Sequence, residues 1–208
     1  MKLDFRSDLL RVLGAAAALL WFSPPEAAAA APLRALFLGD NAAHQPAERF
    51  EQLQPALAPR GIELTYTDKL DDLNPATLAR YDCLVVYANH TSISPPQEQA
   101  LLDFIAGGKG FVPIHCASYC FLNSPKYIEL VGAQFKSHGT GVFKETLVRP
   151  DHEVMKAMQP IESWDETYVH TKHNSNRTVL AERRDDQGAS PREIDSRSAS
   201  ADGQRVIS

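Results

Sequence analysis

The sequence predicts an α/β fold, a mostly parallel sheet with helices on both faces. Three observations carry that prediction. Apolar strand-like runs alternate with stretches of helical spacing from Pro32 to Ile114. One of those runs, Cys83-Leu-Val-Val-Tyr87, is apolar almost throughout, as a strand covered on both faces should be. Another ends on His115 and Cys116, two groups able to exchange protons, at the carboxyl end of a strand. Ligands of open α/β sheets sit at that end.

The elements follow in order. Pro32 to Asp40 reads as the first strand, ending in the loop signal Gly39-Asp40. Pro46 to Arg60 carries Phe50, Leu53 and Leu57 at helical spacing, and Gly61 closes it. Ile62 to Thr67 alternates as the second strand. Asn74-Pro75 opens a short helix, with Asn as cap and Pro in the first turn. Cys83 to Tyr87 is the third strand. Ser94-Pro-Pro-Gln-Glu98 caps a helix that carries Leu101, Leu102, Phe104 and Ile105 and stops at Gly107-Gly108. Phe111 to Ile114 is the fourth strand. Beyond it, Ser124 to Val131 reads as a capped helix and Gly132 to Gly141 as a loop. Val142 to Val148 alternates as a strand, Pro150-Asp-His-Glu153 begins a turn, and Thr178 to Arg183 is the last strand.

Three segments are expected: a signal peptide over 1–31, a domain over 32–184 and a tail over 185–208. Lys2, Arg6 and Arg11 precede an apolar core from Val12 to Phe22 and an alanine tract from Ala27 to Ala31, the pattern of a secretory leader. That core falls short of the roughly 20 residues of a bilayer span. The protein is therefore expected to be exported, periplasmic or extracellular, without a stable membrane span after cleavage. From Gln187 onward there are almost no apolar residues, the composition of a disordered tail or an aberrant reading frame. A net charge of -5, with no basic cluster, argues against nucleic acid as a partner. The 3 cysteines leave an odd thiol, and no Cys-x-x-Cys pair offers a zinc site made of sulfur.

Several ordered motifs resemble the ThuA-like (trehalose utilisation) family. They are Gly108-Lys-Gly-Phe-Val-Pro-Ile-His-Cys-Ala-Ser118, Tyr127-Ile-Glu-Leu-Val-Gly-Ala-Gln-Phe-Lys-Ser-His138, Pro150-Asp-His-Glu-Val-Met-Lys-Ala-Met158 and Trp164-Asp-Glu-Thr-Tyr168, followed by Thr178-Val-Leu-Ala181. The resemblance implies a flavodoxin-like three-layer (αβα) fold of the class I glutamine amidotransferase type. It also implies a small carbohydrate as partner, of trehalose or keto-glucoside type. Family members usually continue into a Gly-His-Asp motif that has no counterpart here, so a C-terminally incomplete domain is expected. Two functions stay open: a metal- or His-assisted enzyme acting on a sugar, or a non-catalytic carbohydrate-binding module.

The candidate residues each carry a competing structural reading. Cys116 stands at or near the place where amidotransferases of this fold carry their nucleophile; alternatively it is a small buried residue. The late His-x-Glu pair that such chemistry needs is missing, because His170-Thr-Lys-His173 has the wrong spacing. His115 suits a metal ligand or a general acid-base, or else a hydrogen-bonded core histidine. His138 could face His115 if its loop folds over the sheet edge, and two imidazoles plus a carboxylate would bind a zinc-like divalent metal. Trp164, Asp165, Glu166, Tyr168 and His170 form an aromatic and polar cluster suited to sugar binding, or simply a turn with a packed Trp. His152 reads as a turn cap. His44, His90 and His173 draw no functional reading.

Overall fold

The chain divides into Met1–Ala31 and Pro32–Ser208. The structure, a computed structural model, describes residues 31–185 and 197–198; the expected leader and most of the expected tail lie outside them. In the second unit four strands, β1 (Leu33–Leu38), β2 (Ile62–Thr67), β3 (Cys83–Val86) and β4 (Gly110–Pro113), form an all-parallel sheet in the order β2-β1-β3-β4. The connections are α1 (Pro46–Leu57), α2 (Pro75–Leu78) and α3 (Pro95–Ala106), and α4 (Pro125–Val131) follows β4. The expected flavodoxin-like three layers are present.

Alternation along the strands builds the layers. Leu36, Leu38, Leu84 and Val86 point to one face and pack with Leu78, Leu101, Phe104, Ile105 and Tyr127 from α2, α3 and α4. Ala35, Phe37, Cys83 and Val85 point to the other, against Phe50, Leu53 and Leu57 of α1. Fully burying one such side chain contributes about 1.5–3 kcal/mol. Helix starts follow the expected chemistry. The Asn74 side chain accepts from the Thr77 N–H at 2.9 Å, and Ser124 accepts from the Tyr127 N–H at 3.0 Å. Ser94 and Gln97 form a capping box at the head of α3. Gly132, at φ 92, closes α4 in the left-handed conformation that glycine adopts most cheaply.

The second half departs from the sequence reading. The expected loop Gly132 to Gly141 and strand Val142 to Val148 are one long strand, β5 (Gln134–Leu147). It pairs antiparallel with β6 (Glu162–Thr171) on one side. The last strand is broken at Leu180 into β7 (Thr178–Val179) and β8 (Ala181–Asp185), and β8 borders β5 on its other side. The backbone of β9 (Arg197–Ser198), inside the expected tail, pairs with β7. Polar and glycine residues hid this layer: Lys136-Ser-His-Gly-Thr140 is exposed throughout, so no apolar alternation marks it. Among the described residues no helix is long and apolar enough to cross a membrane.

Candidate active site

The site begins where β4 ends. Ile114 is still extended, but His115 turns to φ 49 and opens a 3-10 turn over His115–Tyr119. A left-handed conformation costs a residue with a Cβ on the order of 1–2 kcal/mol. Ser118 holds the bend by donating from its hydroxyl to the His115 carbonyl at 3.1 Å, and the Ala117 N–H donates to the Ile114 carbonyl at 2.9 Å. The turn sends neighbouring side chains in different directions. His115 reaches outward with its side chain 24% exposed, whereas Cys116 is 1% exposed and belongs to the core.

Three further segments close on that imidazole. The β5–β6 hairpin sets Glu166, Tyr168 and His170 at alternate positions along β6, with His138 directly across from Tyr168. His115 Nε2 lies 3.2 Å from the Tyr168 hydroxyl and 3.2 Å from Glu166 Oε2. The Tyr168 ring stacks on the imidazole at 4.4 Å, and Tyr87, just past β3, lies on it at 6.0 Å. His44, from the β1–α1 loop, brings Nε2 to 3.9 Å from Glu166 Oε2. His138 Nε2 is 3.7 Å from the other oxygen, Glu166 Oε1. His170 Nε2 meets the Ser118 hydroxyl at 3.2 Å and ties the hairpin to the bend. A pocket opens beside them, lined by His115, Ser118, Phe143, Asp165, Glu166 and Tyr168 among others.

Burial sets the protonation states. It pushes the His115 pKa down, reinforced by His44 and partly opposed by Glu166 and Asp165, so the ring is neutral near pH 7. Burial, with the nearby Glu166 charge, holds the Tyr168 hydroxyl protonated well beyond the ordinary phenol range. Tyr87 is raised for the same first reason. The Cys116 thiol is pushed up to about 12 by burial, then by Asp40. The cluster thus holds a neutral imidazole, a protonated phenol and a carboxylate at the mouth of a parallel sheet. His44, His115 and Glu166 each offer one ligand atom, and these atoms all lie within 4.8 Å of one another.

The profile of the ThuA family, described as trehalose utilisation, matches residues 34–198, most of the chain. The protein belongs to the ThuA family. Its fold is similar to that of a putative ThuA-like protein from Parabacteroides merdae, with TM-score 0.73 and 15% identity over 85% of this chain and 78% of that one. A putative ThuA-like protein from Bacteroides uniformis gives TM-score 0.64 and 19% identity over 75% of this chain and 70% of that one. A comparison with curated proteins found no match.

For this ThuA chain the residues read from the sequence fall into two groups. His115, His138, Asp165, Glu166, Tyr168 and His170 lie together at the seam between the two sheets. Cys116 and Trp164 do not join them. Of the two readings of Cys116, the structure agrees with the small buried residue: His115 stands at the bend, and the thiol behind it is buried and held protonated. The three cysteines are all free and buried. Trp164 is 69% exposed, opposite Val142 near the outer end of the hairpin and outside the pocket lining. Of the expected metal pair, His115 lies 3.2 Å and His138 3.7 Å from oxygens of Glu166, and His44 joins His115 and Glu166 in the compact group. His44 was missed. Its only signal was its place just after the first strand, where the carboxyl-end rule also applies.

Proposed function

We propose that the chain acts on a small carbohydrate of trehalose or keto-glucoside type in the pocket beside His115, after export by its leader. The reaction class that fits best is proton movement at a carbon beside a sugar carbonyl. One observation carries this reading. A neutral imidazole, a phenol held protonated and a carboxylate meet around His115 Nε2, with 3.2 Å to each oxygen, on the wall of an open pocket. Such a step needs a group to take the proton from carbon and another to stabilise the oxygen that gains charge. Tyr168 can donate to that oxygen, and the imidazole-carboxylate cluster can accept the proton. Asp165 and His170, also on the pocket wall, suit hydrogen bonds to hydroxyl groups.

The family description, trehalose utilisation, supports a sugar as the substrate class. The test is a panel of trehalose, glucosides and their keto derivatives given to the purified mature chain, with binding followed by calorimetry and turnover by product analysis. Binding plus turnover of a keto sugar is expected, and His115→Ala should remove turnover. Binding without turnover across the panel would leave a carbohydrate-binding module, and no binding at all would end the sugar reading.

A further inference from the structure

We propose that this site holds a divalent cation of the zinc class, ligated by His44 Nε2, His115 Nε2 and Glu166 Oε2. The placement of this cation at the reactive pocket rests on the reading above, while the ligand geometry stands by itself. The three atoms come from three separate parts of the fold: the β1–α1 loop, the bend after β4, and β6. They converge nonetheless, with 3.2 Å between His115 Nε2 and Glu166 Oε2 and 3.9 Å between His44 Nε2 and the same oxygen. Ligands about 2.0–2.2 Å from a tetrahedral zinc ion stand roughly 3.4 Å apart. These two spacings bracket that value, and the third pair, His44 with His115, lies within 4.8 Å.

A second observation is independent of spacing. Glu166 Oε2 is sealed from solvent and makes no hydrogen bond of good geometry among the described residues. A buried carboxylate oxygen left this way costs on the order of 1–3 kcal/mol. A cation at the centre of the three atoms would supply the missing partner. The two rings face that same oxygen, and they stand 5.0 Å apart by their centroids at 76°.

The outer contacts fit the same assignment. Metal-bound imidazoles are usually held through their second nitrogen. His44 Nδ1 is 2.9 Å from the Asn89 side-chain amide, which is anchored in turn because the Asn89 N–H donates to Asp40. Turning the Asn89 amide so that its oxygen accepts from Nδ1–H leaves the His44 Nε2 lone pair toward Glu166. His138 Nδ1 lies 3.1 Å from the Gly139 carbonyl, so it can donate there and keep its own Nε2 bare. His138 stays outside the compact group. Its Nε2 lies 3.7 Å from the other oxygen, Glu166 Oε1, so that imidazole-carboxylate pair can still take a proton, and a cation held by the other three groups would be reached by sugar oxygens from the pocket that His115 and Glu166 line. Imidazole and carboxylate donors together favour zinc, cobalt, nickel, iron(II) and manganese over magnesium.

The test uses the full chain after chelator treatment, titrated with zinc by calorimetry and with cobalt(II) by visible absorption. One equivalent should bind, cobalt should give the intense visible bands of a four- or five-coordinate site, and magnesium should not compete. His44→Ala and Glu166→Gln should each weaken zinc binding at least 10-fold, and His152→Ala should not. Because a variant could fold poorly, its melting curve is recorded with and without zinc. The parent should be stabilised by zinc, and a folded His44→Ala chain should not. Zinc binding of parental strength in His44→Ala and Glu166→Gln, or no binding to the parent, overturns the proposal. Sugar turnover that survives chelation would also overturn it while leaving the carbohydrate reading intact. Zinc binding without any sugar binding would do the reverse.

Discussion

The two larger sheets of this molecule are built to opposite rules. Every residue of β3 is buried, and its alternate side chains enter two separate cores. In β5 no residue is fully buried, and Lys136 to Thr140 is exposed without interruption. The parallel sheet supplies apolar area and a fixed frame; the antiparallel layer supplies Glu166, Tyr168, His170 and His138, partly exposed side chains set against the bend at His115. The buried apolar frame and most of the clustered polar side chains therefore come from different halves, joined at one seam. A rigid frame beneath a polar, reachable surface is what a site needs to hold charged groups without burying them at full cost.

The division breaks or holds on substitutions taken from each side. The largest effect is expected from Phe37→Ala in β1. Phe37 is 1% exposed and its ring meets Phe50, Tyr66 and Tyr87 within 6.4 Å, so truncation leaves a cavity between the sheet and α1. A loss of about 3–5 kcal/mol is expected, read as a fall in the midpoint of denaturant unfolding. Glu166→Gln is the contrasting change. It keeps the shape of the side chain and removes a charge whose buried oxygen has no hydrogen-bond partner among the described residues, so it should not lower that midpoint by more than about 0.5 kcal/mol. Its turnover on the responding sugar should fall about 100-fold, as for loss of a group in acid-base work. If Glu166→Gln unfolds the chain as readily as Phe37→Ala does, the two halves are not separate in function.

What was legible in the sequence follows the same line. The parallel half announces itself because burial on both faces forces apolar runs, and caps such as Asn74 and Ser124 are spelled in single residues. The site was half legible. His115, Glu166 and Tyr168 stood out as chemistry-bearing residues, but their meeting depends on β5 and β6 pairing in a register that polar strands do not display. His44 was hidden for another reason. It lies in a turn before α1, and only the fold brings that turn beside the end of β4. Cys116 stayed open between two readings because adjacent positions at a bend face different ways, and one residue decides which side chain is presented.

That bend can be tested next, with a smaller effect. His115 has φ 49, a conformation that glycine adopts freely and alanine does not. His115→Gly and His115→Ala both delete the imidazole and both should abolish turnover. They should differ in stability, with the glycine variant about 1 kcal/mol more stable than the alanine variant, as measured by denaturant melts of the pair. Equal stability would mean that the bend relaxes once the ring is gone, and that Tyr168 and Glu166, rather than the backbone, hold it.

The smallest expected change sharpens the boundary of the site. Trp164 is 69% exposed and lies outward of Glu166 along β6, so deleting it removes little buried area. Trp164→Ser should shift stability by less than about 0.5 kcal/mol. Its distance from the pocket lining should make a short ligand indifferent to it, since the groups that would hold a single sugar ring lie on the inner positions of the strand. A disaccharide reaching outward along the hairpin would pass the indole, whose flat apolar face suits a pyranose ring. The comparison of interest is therefore between ligands rather than between variants. A several-fold loss of disaccharide affinity with none for a monosaccharide would extend the site along β6. Equal behaviour of the two ligands would end it at Glu166, and leave the indole as an exposed residue of the antiparallel layer.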